Sequence, residues 1–280
     1  MIYDCIIIGA GPAGIAAAVQ LKRAGLSLLL LEKGEVGGLL RNANLVENYL
    51  GFADGISGKD LIELFKKQIS EQEISLQQEE ALEVKHVSTH FTVQTDQNLY
   101  ESSNVIVATG TKPRTLGIDG EEALAGTKLF YEIADFPIAE NGKNVIVIGG
   151  GDIGFDYAIQ LKDLGHKPTI ITRGKMQCLP LLGVRAREIN IPVFENINPE
   201  KIFEDGEFIT VQCDTTNFQT DYIFIAVGRE PRYPRLPMQN HSGLYQIGDV
   251  KNKHLRQVHI ATGDALRTAM DIILSVTHQS

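Results

Sequence analysis

Apolar positions along this chain fall into two kinds of pattern. Short unbroken runs stand at Ile6-Ile7-Ile8, Leu28 to Leu31, Val105 to Ala108, Val145 to Ile148 (in a strand that begins at Asn144) and Tyr222 to Val227. Such runs mark strands buried on both faces, as in a parallel sheet. Helical spacing governs other stretches. Leu61, Ile62, Leu64, Phe65 and Ile69 line one face of a helix from Lys59 to about Gln72. Further helices are predicted over Ile15 to Ala24, Phe155 to Leu164 and about Gln257 to Val276. Gly25 and Gly165 close the first two as C-caps. Alternating residues from Ser75 to Glu101 predict a short antiparallel meander. Strands are also expected at Pro168 to Thr172, at Ile209 to Gln212 and in the segment Gly243 to Asp249. The stretch Lys33 to Ser57, rich in Gly and Asn, reads as a loop, and Thr277 to Ser280 as a short polar tail.

One order of elements occurs twice. A strand runs into Gly9-x-Gly11-x-x-Gly14 and a helix, and about 140 residues later another runs into Gly149-x-Gly151-x-x-Gly154 and a helix. Two α/β units follow, each a Rossmann-like, three-layer dinucleotide-binding domain. The first is expected to be discontinuous, from residues 1–114 and 232–280, with the second filling 115–231.

Composition narrows the function. The chain has 280 residues, 43% hydrophobic and 22% charged, with a net charge of −9. That balance argues against nucleic acid and anionic membranes, which need basic patches. No apolar stretch is long enough to span a bilayer. Gly9 and Pro12 interrupt the first apolar run and no basic segment precedes it, so the N-terminus reads as a buried strand and not a signal peptide. Cys5, Cys178 and Cys213 are far apart, with no C-x-x-C pair. Neither a disulfide scaffold nor a metal site is expected, and the chain reads as cytoplasmic.

Each glycine motif has a physical rationale. Gly9 permits the tight turn, Gly11 lets the backbone approach a pyrophosphate, and Gly14 lets the helix pack close to the strand. The helix N-terminus offers N–H groups and partial positive charge to phosphates. Glu32 ends the second strand, where a carboxylate accepts from ribose hydroxyls. The second motif differs. Thr172-Arg173-Gly174-Lys175 holds no such carboxylate, and Arg173 and Lys175 fit a 2′-phosphate, favouring NADP over NAD. The other reading of that stretch is a solvated basic loop on a domain without nucleotide. Near the C-terminus, Gly248-Asp249 suits ribityl hydroxyls, and the helix after Arg256-Gln257-Val258 suits the charge that develops on a reduced flavin.

Together these residues resemble the thioredoxin-reductase-like branch of the flavoproteins with two dinucleotide-binding domains, over nearly the whole chain. Gly37-Gly38-Leu39 and Val46-Glu47-Asn48-Tyr49 are similar to the family's Gly-Gly-Gln and Val-Glu-Asn, and Ala108-Thr109-Gly110 to its Ala-Thr-Gly. Gly149 to Ile153 resembles its Gly-Gly-Gly-Asp-Ser. The resemblance implies a non-covalent FAD and a homodimer. It implies FAD contacts at Gly9, Gly11, Pro12, Ala13, Gly14, Glu32, Lys33, Gly38, Leu39, Asn48, Ala108, Thr109, Gly110, Gly248, Asp249, Arg256, Gln257 and Val258. Contacts to NADPH or NADH fall at Gly149, Gly151, Asp152, Ile153, Arg173 and Lys175.

Departures from the family are equally informative. Glu132 and Asp135 stand where its redox Cys-x-x-Cys would be, and a carboxylate cannot exchange disulfides. The family's His-Arg-Arg is Thr172-Arg173-Gly174, and Leu39 replaces a Gln near the flavin. The expected activity is an FAD-dependent NAD(P)H oxidoreductase without a dithiol relay, similar in kind to thioredoxin-reductase-like ferredoxin–NADP reductases. The flavin would carry the chemistry, so no acid or base is assigned. Glu132, Asp135 and His259 are candidates near it, each with a surface or capping role as the other reading. Tyr49, Tyr131 and Tyr245 are either flavin-stacking or core aromatics. Two alternatives stay open: a flavoprotein reduced by a protein donor such as ferredoxin, with the second domain as scaffold, and a non-enzymatic flavin-bearing sensor.

Overall fold

The computed structural model describes residues 1–137, 141–239 and 241–277, so the end of the polar tail lies outside the described residues. The chain divides into two compact units, Met1–Lys112 with Glu230–Ser280, and Pro113–Arg229. The divisions fall just ahead of those drawn at 114/115 and 231/232.

In the first unit, β1 (Ile2–Ile8) leads into α1 (Pro12–Arg23), β2 (Leu28–Leu31), α2 (Gly58–Glu71) and β3 (Leu76–Gln77). The meander β4 (Ala81–Val87), β5 (His90–Thr95) and β6 (Leu99–Val107) follows. The C-terminal segment returns as β17 (Leu244–Gln246) and α6 (Val258–Thr277). Strand order is β3-β2-β1-β6-β5-β4, with β17 also beside β6. β1 runs parallel to β2 and β6. The unbroken apolar runs have a direct cause: each face has its own core. Cys5, Ile7, Leu28, Leu30 and Ile106 pack under α1 and α6, while Ile6, Ile8, Leu29, Leu31, Val105 and Val107 pack with Val84, Phe91 and Val93 of the meander. Ala17 and Ala18 of α1, and Ala261, Ala265 and Ala269 of α6, bring only methyl groups to this core, which lets α1 and α6 pack closely against each other.

β7 (Thr111–Pro113) straddles the first division, and the second unit goes on with α3 (Glu121–Leu124), β8 (Leu129–Phe130), β9 (Asn144–Ile148), α4 (Asp152–Asp163), β10 (Lys167–Thr172) and α5 (Pro180–Glu188). It continues as β11 (Val193–Glu195), β12 (Pro199–Asp205), β13 (Phe208–Cys213), β14 (Asn217–Thr220) and β15 (Tyr222–Ile225), and β16 (Arg229–Pro231) straddles the second division. A parallel sheet of order β11-β10-β9-β15-β8 lies between α4 and α5 on one face and the antiparallel β12-β13-β14 sheet on the other. Both units are therefore α/β layers around a parallel sheet, one of them discontinuous in sequence.

Two helices begin earlier than their apolar periodicity. α1 starts at Pro12 and α4 at Asp152, so the ends of both glycine motifs are already helical. Proline suits α1 because its missing N–H would be unsatisfied at the first helical position anyway.

His166, just before β10, is 2% exposed, and neither ring nitrogen has a hydrogen-bond partner among the described residues. Its ring meets Phe136 edge-on at 5.3 Å. Burial holds its pKa below the usual histidine value of 6.5. The folded protein therefore binds fewer protons here than the unfolded chain, so stability rises with pH. The contribution is complete above about pH 6.5 and is lost as pH falls through the depressed folded value. Thermal unfolding followed from about pH 7.5 to 5 should show a falling Tm whose slope is shallower in His166→Phe.

Candidate functional site

In the first unit, the residues that follow the parallel strands gather at the sheet's carboxyl edge. Gly9 follows β1, Glu32 follows β2, Ala108 follows β6 and Ile247 follows β17. The connection from β1 goes to β2 on one side, while β6 lies on the other, the switch point at which open α/β sheets bind ligands. Gly9 has φ +107°, and a Cβ there would lie 2.5 Å from the Ala108 carbonyl oxygen. A Cβ on Gly14 would lie 1.8 Å from the Gly9 carbonyl oxygen. Both glycines are needed by the fold itself. Gly11 is different. Its backbone is extended (φ −80°, ψ −178°), and a Cβ would meet nothing closer than the Gly38 Cα at 3.9 Å. No side chain caps the helix that starts beside it. The turn thus leaves open a cradle that a methyl group would fill, which is the space a pyrophosphate needs.

Around this cradle the expected residues converge. Glu32 accepts from Ala10 N–H at 2.7 Å and Gly34 N–H at 3.0 Å, holding its carboxylate at the turn. Lys33 beside it is exposed, and its pKa is lowered by desolvation and then by Arg232. Gly37 donates to the Ala10 carbonyl at 2.8 Å, which lays Gly38 (φ +54°) against Gly11. Leu39 follows in a 3₁₀ turn, half-buried. The Thr109 hydroxyl donates to the Arg232 carbonyl, and Arg232 N–H donates to the Gly110 carbonyl at 3.1 Å. Gly248 (φ +69°) rests on Ala13, where a Cβ would come within 2.9 Å of the alanine methyl, and places half-buried Asp249 at the same edge.

Two distant segments form a clasp here. Asn48 Nδ2 donates to Gln257 Oε1 at 2.8 Å, and Leu50 N–H donates to His259 Nε2 at 3.0 Å. Tyr49 stacks on the His259 ring at 4.8 Å, and Val258 joins Tyr49 and Leu40 in a small core. His259 is thus an anchor for the 46–50 loop. His259→Ala removes one hydrogen bond of about 1 kcal/mol, so amide exchange at Leu50 should quicken about fivefold. Arg256, half-buried, precedes the clasp.

The second unit repeats the cradle. Gly149 has φ +147°, with a Cβ position 2.3 Å from the Ala226 carbonyl oxygen. That of Gly154 lies 2.2 Å from the Gly149 carbonyl oxygen. Gly151 is extended (φ −93°, ψ −179°) and a Cβ there would meet nothing within 4 Å. Asp152 is already engaged: its Oδ1 accepts from Leu179 N–H at 2.7 Å and ties down the loop after β10. Gln177 N–H donates to the Gly150 carbonyl at 2.7 Å. Ile153, Arg173 and Lys175 are exposed. A residue missed by sequence reasoning, Glu195, accepts from Met176 N–H at 2.7 Å within the same loop.

Glu132 is neither a surface residue nor a side-chain cap. Its carboxylate pairs with Arg229 at 2.8 Å and accepts from the Tyr157 hydroxyl at 3.1 Å, with Glu132 and Arg229 side chains 14% and 4% exposed. Glu132 is thus held in a largely buried network. Asp135 is exposed. The Tyr131 hydroxyl donates to Glu121 at 2.7 Å, and Tyr245 packs on the core under α1 and α6.

The cysteines are free: Cys5 and Cys213 are buried and Cys178 is half-buried. Cys178 and Cys213 pack on opposite faces of the second sheet. Burial raises all three thiols, Cys213 to about 11, away from the thiolate that exchange needs. Among the described residues no helix is long and apolar enough to cross a membrane, and no cluster of His, Cys, Asp and Glu could hold a metal.

The profile of the pyridine nucleotide-disulphide oxidoreductases matches residues 3–265. The chain belongs to that family. Thioredoxin reductase from Listeria monocytogenes is 33% identical, over 94% of this chain and 90% of its own length. That from Bacillus subtilis is 30% identical, over 97% and 94%. The crystal structure of T. acidophilum thioredoxin reductase superposes with a TM-score of 0.90 at 30% identity, covering 98% of this chain and 99% of its own. The chain is thus a thioredoxin reductase-like oxidoreductase, and members of this flavoprotein family bind FAD and NAD(P)H.

Proposed function

We propose that the first unit holds FAD and the second a pyridine nucleotide, and that the protein passes electrons between NAD(P)H and an external acceptor without a dithiol. One observation carries this reading: both glycine cradles are open at Gly11 and Gly151, while no two cysteines pair. When bound, FAD supplies the electron-transfer chemistry. The chain's own residues bind and orient. Gly11 and the start of α1 receive the pyrophosphate, Glu32 the adenosine ribose, Asp249 the ribityl chain, and the start of α6 the pyrimidine edge of the ring. The Asn48–Gln257 and Leu50–His259 clasp keeps the 46–50 loop in place over this site. Gly151 and the start of α4 receive the nicotinamide dinucleotide. The test is anaerobic mixing of the flavin-loaded protein with NADH and NADPH, following the flavin band near ~450 nm. Rapid bleaching by either nucleotide, together with no turnover of disulfide substrates, is expected. Bleaching by neither would end the reading in favour of a protein donor such as ferredoxin.

Self-association as a homodimer is part of this proposal. Leu266, Met270 and Leu274 of α6 follow one another at four-residue intervals and are 47%, 52% and 54% exposed, an apolar stripe on one helix face. Light scattering should give twice the chain mass, and Met270→Glu should shift it toward monomer.

A further inference from the structure

We propose that Glu195 sets coenzyme choice, taking the place of the missing ribose carboxylate and selecting NADH over NADPH. The inference rests on the reading of the second glycine turn as a pyridine-nucleotide site. It reverses the preference suggested by Arg173 and Lys175 alone.

Strand register carries the argument. In the first unit Ile8 pairs with Leu31, Gly9 follows Ile8, and Glu32 follows Leu31. In the second unit Ile148 pairs with Ile171, Gly149 follows Ile148, and Thr172 follows Ile171. Thr172 is therefore the counterpart of Glu32, and it has no charge. It is buried, and a Cβ at Gly150 would lie 2.6 Å from its hydroxyl, so its side chain faces the turn. Thr172 is in register with Glu195 on the neighbouring strand. Residues paired across parallel strands project to the same face, about 4.8 Å apart. A carboxylate thus stands on the face of Thr172, supplied by β11 instead of β10.

One hydrogen bond ties that exposed carboxylate to the loop that a 2′-phosphate would contact. Glu195 accepts from Met176 N–H at 2.7 Å, which also removes a backbone donor from phosphate binding. Ile197 N–H donates to the Thr172 carbonyl at 3.0 Å, and Gln177 N–H to the Gly150 carbonyl at 2.7 Å. Loop, carboxylate and glycine turn form one assembly within the second unit. A carboxylate so placed accepts from the ribose diol and repels a phosphate dianion. Arg173 and Lys175 remain exposed on the same loop, and solvent weakens their attraction for phosphate as it weakens the repulsion by Glu195.

Titration calorimetry of the FAD-loaded protein with NAD⁺ and with NADP⁺ tests this without any redox step. Wild type should bind NAD⁺ about tenfold more tightly, which is ~1.4 kcal/mol. Glu195→Gln keeps an acceptor for Met176 N–H and removes the charge, so the ratio should collapse to about one or invert. Tighter NADP⁺ binding by wild type, or a ratio that Glu195→Gln leaves unchanged, overturns the assignment of Glu195 while leaving the nucleotide site standing. Binding of neither nucleotide to either protein overturns the nucleotide site itself, and the assignment with it.

Discussion

Gly151→Ala should fold like the parent and lose its pyridine nucleotide. The backbone there is extended, a conformation that alanine adopts freely, and a new methyl would meet nothing within 4 Å. Stability should change by no more than about 0.5 kcal/mol. The methyl would stand where the pyrophosphate must approach, and overpacking of this kind costs about 1–3 kcal/mol, roughly ten- to a hundredfold in affinity. Gly11→Ala is the matching experiment in the first unit, read as the flavin-to-protein ratio after gel filtration. Gly14→Ala is the contrast. Its methyl would lie 1.8 Å from the Gly9 carbonyl oxygen, so that variant should fail to fold. Unchanged nucleotide affinity in Gly151→Ala would remove the second cradle from the account.

Glu132→Ala should markedly destabilise the second unit. Arg229 is 4% exposed and would keep its charge without the Glu132 carboxylate, and the Tyr157 hydroxyl would lose its acceptor. Removing one partner of a buried pair costs about 3–5 kcal/mol, measured here as a drop in unfolding free energy. Replacing both partners by apolar residues, Glu132→Leu with Arg229→Met, should recover most of that loss, because desolvation and attraction nearly cancel in such pairs. Introducing cysteines at residues 132 and 135 carries the same cost. Glu132→Cys breaks the same network.

Where burial alone decides an element, its residues announce it. Ile6-Ile7-Ile8 and Leu28 to Leu31 alternate between two cores, so every position is apolar. β6 hid its length for the opposite reason. Ser102 and Asn104 interrupt its apolar pattern, yet both are buried, with Ser102 donating to the Asn104 carbonyl and Asn104 to the Asp4 carbonyl. The last strand of the meander and the strand at Val105 are consequently one element. α5 left little trace because Leu181 and Val184 are exposed and only Gly183 and Ala186 are buried.

Local spacing likewise exposed the glycine turns and Glu32, since each turn and its helix are consecutive in sequence. Glu195, Arg229 and Tyr157 were not legible, because their neighbours are set by strand pairing and by packing across the sheet. No spacing in the sequence joins residue 132 to 229, or 176 to 195. The clasp between Asn48 and Gln257 was approachable only through the resemblance of both stretches to one family.

The most direct test of the account is an anaerobic reductive titration of the purified yellow protein with dithionite, counting electrons to full bleaching of the flavin. A flavin acting without a dithiol should be fully reduced by about one two-electron equivalent per FAD. An endpoint near about two equivalents, with thiols appearing during the titration, would reveal a redox disulfide and contradict the account.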